Sequence, residues 1–206
     1  MFIDDLIVSL VLFARHAVGT VTRPYETYRN IADHSRPLEL FGAAVVVSVY
    51  FALASVIRTA AFRPFLLTRQ FTLLALATAV TCILVIILLW GISRLFGGKG
   101  TLRAVALCWG YSLLPTLSWF LITSVLYVLI PPPRTERLQG VLFSIVYLVV
   151  SGTLFFWKAT LAYLTLRFAM RLDLLRIIAV FALTVPVIGA YSVWMYRLGI
   201  FRIPFL

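Results

Sequence analysis

A chain of 206 residues that is 63% hydrophobic and only 12% charged, with a mean hydropathy of +1.05, cannot face water over most of its surface. Soluble domains carry about a quarter charged residues. The formal net charge is +11, from 18 Lys+Arg against 7 Asp+Glu. These values exclude a soluble globular domain and point to an integral membrane protein, and basic residues at the ends of its apolar runs imply lipid headgroups as partners rather than nucleic acid.

The chain opens MFIDD, without the basic region that a cleaved leader needs before its apolar stretch. The apolar run Leu6–Ala14 is shorter than the roughly twenty helical residues that cross a bilayer. Ile3, Leu6, Ile7, Leu10, Phe13, Ala14 and Ala17 share one helical face, and Asp5, Ser9 and His16 lie opposite. That pattern predicts an amphipathic helix lying in the membrane interface. A second short helix is expected in TRPYETYRNIADHSRP (22–37), with Pro24 in its first turn and Glu26 near its positive end. Tyr25 and Tyr28 suit anchoring at headgroup level. Residues 1–37 thus form an interfacial N-terminal segment, followed by a transmembrane domain over 38–206.

Five runs are long and apolar enough to span, at about 38–60, 70–95, 101–130, 137–167 and 175–197. In hydrocarbon only helices or closed barrels satisfy the backbone, so the fold class is all-α. Glu39 is expected at the interface, at the start of the first span. The prolines of PPPRTER (131–137) stop the third span. With five spans, ten Lys and Arg fall on the side of the N-terminus and of the turns near 94–103 and 167–176, and seven on the other. The excess predicts a cytoplasmic N-terminus.

The glycine cluster GGKGT (97–101) is not a phosphate-binding loop. Lys99 is followed by Gly100 rather than Ser or Thr, and a membrane helix rather than a strand precedes it. It reads as a tight helix–helix turn in which Gly97 and Gly98 end the second span and Thr101 caps the third. Lys99, Arg103 and the helix start together present a surface that suits a lipid phosphate. In TLRAVALCWGYSLLP (101–115), Pro115 cannot bond the carbonyl of Tyr111, so a kink is expected there. Gly110 and Ser112 permit another helix to approach closely.

Three stretches with this span count resemble the Yip-domain family: RPYETYRNI (23–31), GGKGTLRAVALCWGYSLLP (97–115) and WKATLAYLTLRFAMRLDLLR (157–176). The family comprises five-span membrane proteins named for interaction with Ypt/Rab GTPases, and it has many bacterial members. The resemblance implies a noncatalytic membrane protein; eukaryotic members are implicated in vesicle traffic and membrane shaping. The long polar N-terminal region of those members is missing here, which favours a bacterial-type inner-membrane protein over Rab binding.

Lys158 is the one ionisable residue set well inside an apolar run. It lies about 13 Å of helix rise from Arg167. It either snorkels or bonds helix carbonyls, or it contacts an anionic lipid or ligand. His16 and His34 have no ligand-spaced partners on the spans, Cys82 and Cys108 sit in apolar runs, and Ser112, Ser118 and Ser144 lack a histidine base there. No catalytic residue, cofactor or metal is expected. Candidate lipid or partner contacts are Lys99, Arg103, Lys158, Arg167 and Arg171; Gly97, Gly98, Gly100, Gly110, Tyr111 and Pro115 form the turn and kink. The expected function is to scaffold membrane partners or organise lipids. The alternatives are a small transporter or channel subunit for an anionic or lipidic substrate, and an accessory subunit of a larger membrane complex.

Overall fold

The computed structural model describes residues 2–34, 37–58, 64–129 and 138–199. The expected stop PPPRTER, Arg63 and Arg202, and the side chains of Arg58 and Arg69, lie outside the described residues. Within them the elements are helical throughout: α1 (Phe2–Thr22), α2 (Pro24–His34), α3 (Glu39–Arg58), α4 (Pro64–Leu95), α5 (Leu102–Tyr111), α6 (Leu114–Leu129), α7 (Leu138–Leu164), a π-helical turn (Thr165–Ala169) and α8 (Leu174–Arg197).

Among the described residues, five helical stretches are long and apolar enough to cross a membrane: Asp4–Thr22, Ala75–Leu95, Leu102–Leu126, Gly140–Ala169 and Leu174–Arg197. The last four coincide with the expected second to fifth spans. Glu39–Tyr50 of α3 is a shorter apolar stretch. This is an integral, multi-pass, all-α membrane protein.

One side of α1 packs on the protein and the other is left outward. Ser9, Phe13 and Thr20 are buried against the rest of the protein, while Ile7, Val11, Val18 and Val21 face outward. Lipid offers apolar side chains as good an environment as protein does, so α1 can leave valines outward, and the inward His16 gains a hydrogen bond from α3. Phe13 lies against Gly42, where an added Cβ would stand 2.7 Å from its ring, and His16 reaches Glu39. Three residues forward on α1 thus match three residues back on α3, so the two helices pack antiparallel.

Short α2 docks flat on one end of the bundle. Its Tyr28 and Ile31 are fully buried, against the expectation that Tyr28 anchors at headgroup level. Burial in this apolar setting pushes the Tyr28 phenol well above its ordinary pKa, so it acts as a neutral packing ring. Tyr25 is exposed and meets the Phe168 ring edge-on, with centroids 4.8 Å apart. The main core sits at the same end, built from Val105, Leu107 and Cys108 of α5, Leu161 of α7, Met170 of the loop before α8, and Ile177 of α8.

The third span is broken where the sequence places Pro115. One helix ends at Tyr111 and the next begins at Leu114. Pro115 has no N–H for the Tyr111 carbonyl. Ser112 stabilises the break: its backbone N–H donates to the Cys108 carbonyl at 3.2 Å and its hydroxyl to the Trp109 carbonyl at 2.7 Å. Gly110 admits α3, since a Cβ there would stand 3.0 Å from Leu40.

Candidate functional site at the cationic end of the bundle

The glycine turn after α4 is a helix C-cap fused to a docking surface. Gly97 adopts φ +81, a left-handed conformation suited to glycine. The Gly98 N–H donates back to the Ser93 carbonyl at 2.9 Å, closing the helix end. Thr101 then caps α5 as expected, its side chain accepting from the Ala104 N–H at 3.2 Å. Gly100 serves a different purpose: a Cβ there would overlap the Ala169 carbonyl. The π-helical turn therefore lies directly on the glycine turn, and the Lys99 N–H donates to the Met170 carbonyl at 3.1 Å across the contact.

This docking brings two distant basic turns onto one surface. Lys99 and Arg103 come from one side and Arg171 and Arg176 from the other, all exposed. A Cβ at Gly97 would stand 3.2 Å from the Arg176 guanidinium, which places that side chain over the glycine turn. Arg167 braces the loop, donating to the Leu172 carbonyl at 3.0 Å and to Asp173 Oδ1 at 3.3 Å. Arg171 sits at φ 55 with its guanidinium 3.8 Å from Asp33 of α2. Of the five basic residues singled out in the sequence, four thus meet at this end, three displayed and one bracing. Arg176, which the sequence reading passed over, belongs with them.

Beneath this surface lies a polar cluster that the sequence concealed. The Glu39 side chain is enclosed by protein, 0% exposed. Tyr111 donates its hydroxyl to Glu39 Oε2 at 2.6 Å, and His16 Nδ1 lies 2.8 Å from the same oxygen. The Tyr111 ring stacks on Phe13 at 5.5 Å and meets His16 edge-on at 5.8 Å. Glu39 thus joins His16 to the core, and Tyr111 is a hydrogen-bonding residue as well as the last of its helix. The cluster ties α1, α3 and α5 together just below α2. Among the described residues, no group of three His, Cys, Asp or Glu is arranged to hold a metal.

Lys158 stands apart from the cationic end. Its Nζ donates to Thr116 Oγ1 of the facing α6 at 2.9 Å. The ammonium also lies 6.0 Å from the centre of the Trp109 ring. Lys158 borders a cavity of about 380 Å³ enclosed by α4, α5, α7 and α8, with Leu113 of the helix break on its wall.

The all-helical, lipid-facing bundle, the glycine turn against a π-helical turn and the broken third span define a multi-pass membrane protein assembled around one cationic end. The Yip1-domain family model matches residues 18–196, and the chain belongs to that family. No curated protein and no solved structure matches it. The matched region spans both basic turns and the Glu39 cluster except for the first part of α1.

Proposed function

We propose that this protein is a noncatalytic organiser of the membrane, which holds anionic lipid headgroups at its cationic end and presents that end to partner proteins. The observation that carries the reading is the Lys99–Met170 backbone bond. It fixes two basic turns, about seventy residues apart in sequence, into one rigid surface. Each basic residue near an anionic leaflet contributes about 1 kcal/mol, so four displayed together outweigh the cost of ordering a few headgroups.

The positive-inside tendency places this end at the cytoplasmic face, and a bacterial inner membrane supplies anionic lipid there. The Ser112 and Ser144 hydroxyls donate to carbonyls of their own helices, which fits a role in binding.

The test is native mass spectrometry of the protein in lipid nanodiscs of mixed phosphatidylglycerol and phosphatidylethanolamine. The wild type is expected to retain phosphatidylglycerol preferentially. Changing Lys99, Arg103, Arg171 and Arg176 to Gln together should abolish that preference. Equal retention by both proteins would remove the electrostatic reading. Gentle extraction of both from native membranes then shows whether partner proteins leave with the charge.

A further inference from the structure

The cavity beside Lys158 has the chemistry of a binding site rather than of a packing fault. Most of its wall is apolar, including Val85 and Leu89 of α4 and Phe181 and Ile188 of α8. Its volume of about 380 Å³ is more than twice that of the apolar cavity, about 150 Å³, that accommodates benzene. It also falls within the range of small-molecule sites, about 300–1,000 Å³. Among the described residues lining it, Lys158 is the one that carries charge. Two threonines, Thr81 and Thr184, line the same space, and the Thr184 hydroxyl is buried and makes no hydrogen bond. A buried hydroxyl without a partner is costly, by about 1–3 kcal/mol, and a ligand oxygen would remove that cost.

The cavity opens sideways. Phe155 of α7 and Val185 of α8 line it, yet both are more than half exposed on helices that cross the membrane. Its mouth therefore meets acyl chains rather than water, and what enters comes from the bilayer. An occupant must match an apolar wall, one ammonium and the Thr184 hydroxyl, since the Thr81 hydroxyl on the same wall already donates to the Ala77 carbonyl.

We propose that this cavity binds a single-chain amphiphile with an anionic head, the head on Lys158 and Thr184 and the alkyl chain along the apolar wall towards the α7–α8 mouth. The Lys158–Thr116 bond and the Trp109 ring hold the ammonium at the wall for that contact. The site is separate from the cationic end and stands or falls independently of it.

The full-length protein in detergent would be titrated with palmitate, with 16-carbon lysophosphatidate and with hexadecanol, and bound species counted by native mass spectrometry. At least one of the two anions should bind about tenfold more tightly than the alcohol, the scale of one charge-assisted hydrogen bond. Preference for palmitate assigns a carboxylate head, preference for lysophosphatidate a phosphate head, and equal binding the shared anionic chemistry. Lys158→Met should erase the difference between anion and alcohol, and Thr184→Val should weaken anion binding severalfold. A diazirine-bearing palmitate should crosslink to peptides covering 155–162 or 181–188 and not to the 97–103 turn. If alcohol and anions bind wild-type protein equally, if none binds, or if crosslinks fall elsewhere, the proposal is overturned. That comparison uses wild-type protein and so survives a variant that fails to fold.

Discussion

Glu39 and Tyr111, 72 residues apart, share a 2.6 Å hydrogen bond in the buried heart of the protein, and that bond joins the start of α3 to the end of α5. A carboxylate taken out of water needs hydrogen-bond donors, and here Tyr111 supplies one at short range while His16 stands at 2.8 Å from the same oxygen. Tyr111 is also the last residue of α5, at the break that Pro115 enforces, so the bond anchors the third span where its helix is interrupted.

Tyr111→Phe tests this bond, since it removes the hydroxyl and keeps the stack on Phe13. The variant should lose about 1–3 kcal/mol, because a buried acceptor loses its donor. Thermal unfolding in detergent reads the loss. Combined with Glu39→Gln in a double-mutant cycle, the effects should be non-additive. Additivity within about 0.5 kcal/mol would mean that the two side chains do not depend on one another.

Gly100→Ala is expected to be the most damaging single methyl in the chain's glycine turn. The new Cβ would overlap the Ala169 carbonyl, and backbone on both sides would have to separate. A cost of at least about 1–3 kcal/mol follows from overpacking. Gly91→Ala and Gly152→Ala meet nothing within 4 Å and serve as controls. They should stay within about 1 kcal/mol of wild type. Melting temperatures of the three variants decide the point; a Gly100→Ala protein as stable as the controls would mean that the two turns are not in contact.

Much of this architecture was legible in the sequence because local chemistry dictates it. Gly97 and Gly98 ended α4, Thr101 capped α5 and Pro115 broke the third span, each by a backbone rule that acts within a few residues. Two things were not legible. The first was the hydrogen bond that joins Glu39 to Tyr111, and the one that joins Lys158 to Thr116, since both depend on which helices become neighbours. The second was the packing of α1 on α3, where Phe13 lies against Gly42 and His16 reaches Glu39. A carboxylate at the start of one span, a tyrosine at a helix break and a histidine within reach of both in the fold would be the signal, but only once the helix order in space is known.

Arg171 separates backbone strain from charge. Its φ of 55 is a left-handed conformation that glycine adopts freely and β-branched residues resist. Its ion pair with Asp33 spans 3.8 Å between exposed groups and contributes little. Arg171→Gly and Arg171→Val both delete the same positive charge, so both should lower phosphatidylglycerol retention, by about 1 kcal/mol or roughly fivefold. Their stabilities should part by about 1–2 kcal/mol, with the glycine variant near wild type and the valine variant below it. If retention instead follows stability, the arginine acts by shaping the loop and not by its charge.

The outward face of α1 gives the last prediction. Val11 and Val18 are 63% and 64% exposed on a helix whose inward side is taken by Ser9, Phe13 and Thr20. Exposure of such residues along an antiparallel partner of α3 means contact with acyl chains. In a background with Cys82 and Cys108 changed to Ala, Val11→Cys and Val18→Cys should resist a membrane-impermeant maleimide applied from either side. Asn30→Cys on exposed α2 should react from one side only, and that side identifies the face bearing the two basic turns, because α2 docks beside them. Ready labelling at Val11 or Val18 would place water where this arrangement requires lipid, and would separate α1 from the membrane-embedded body of the protein.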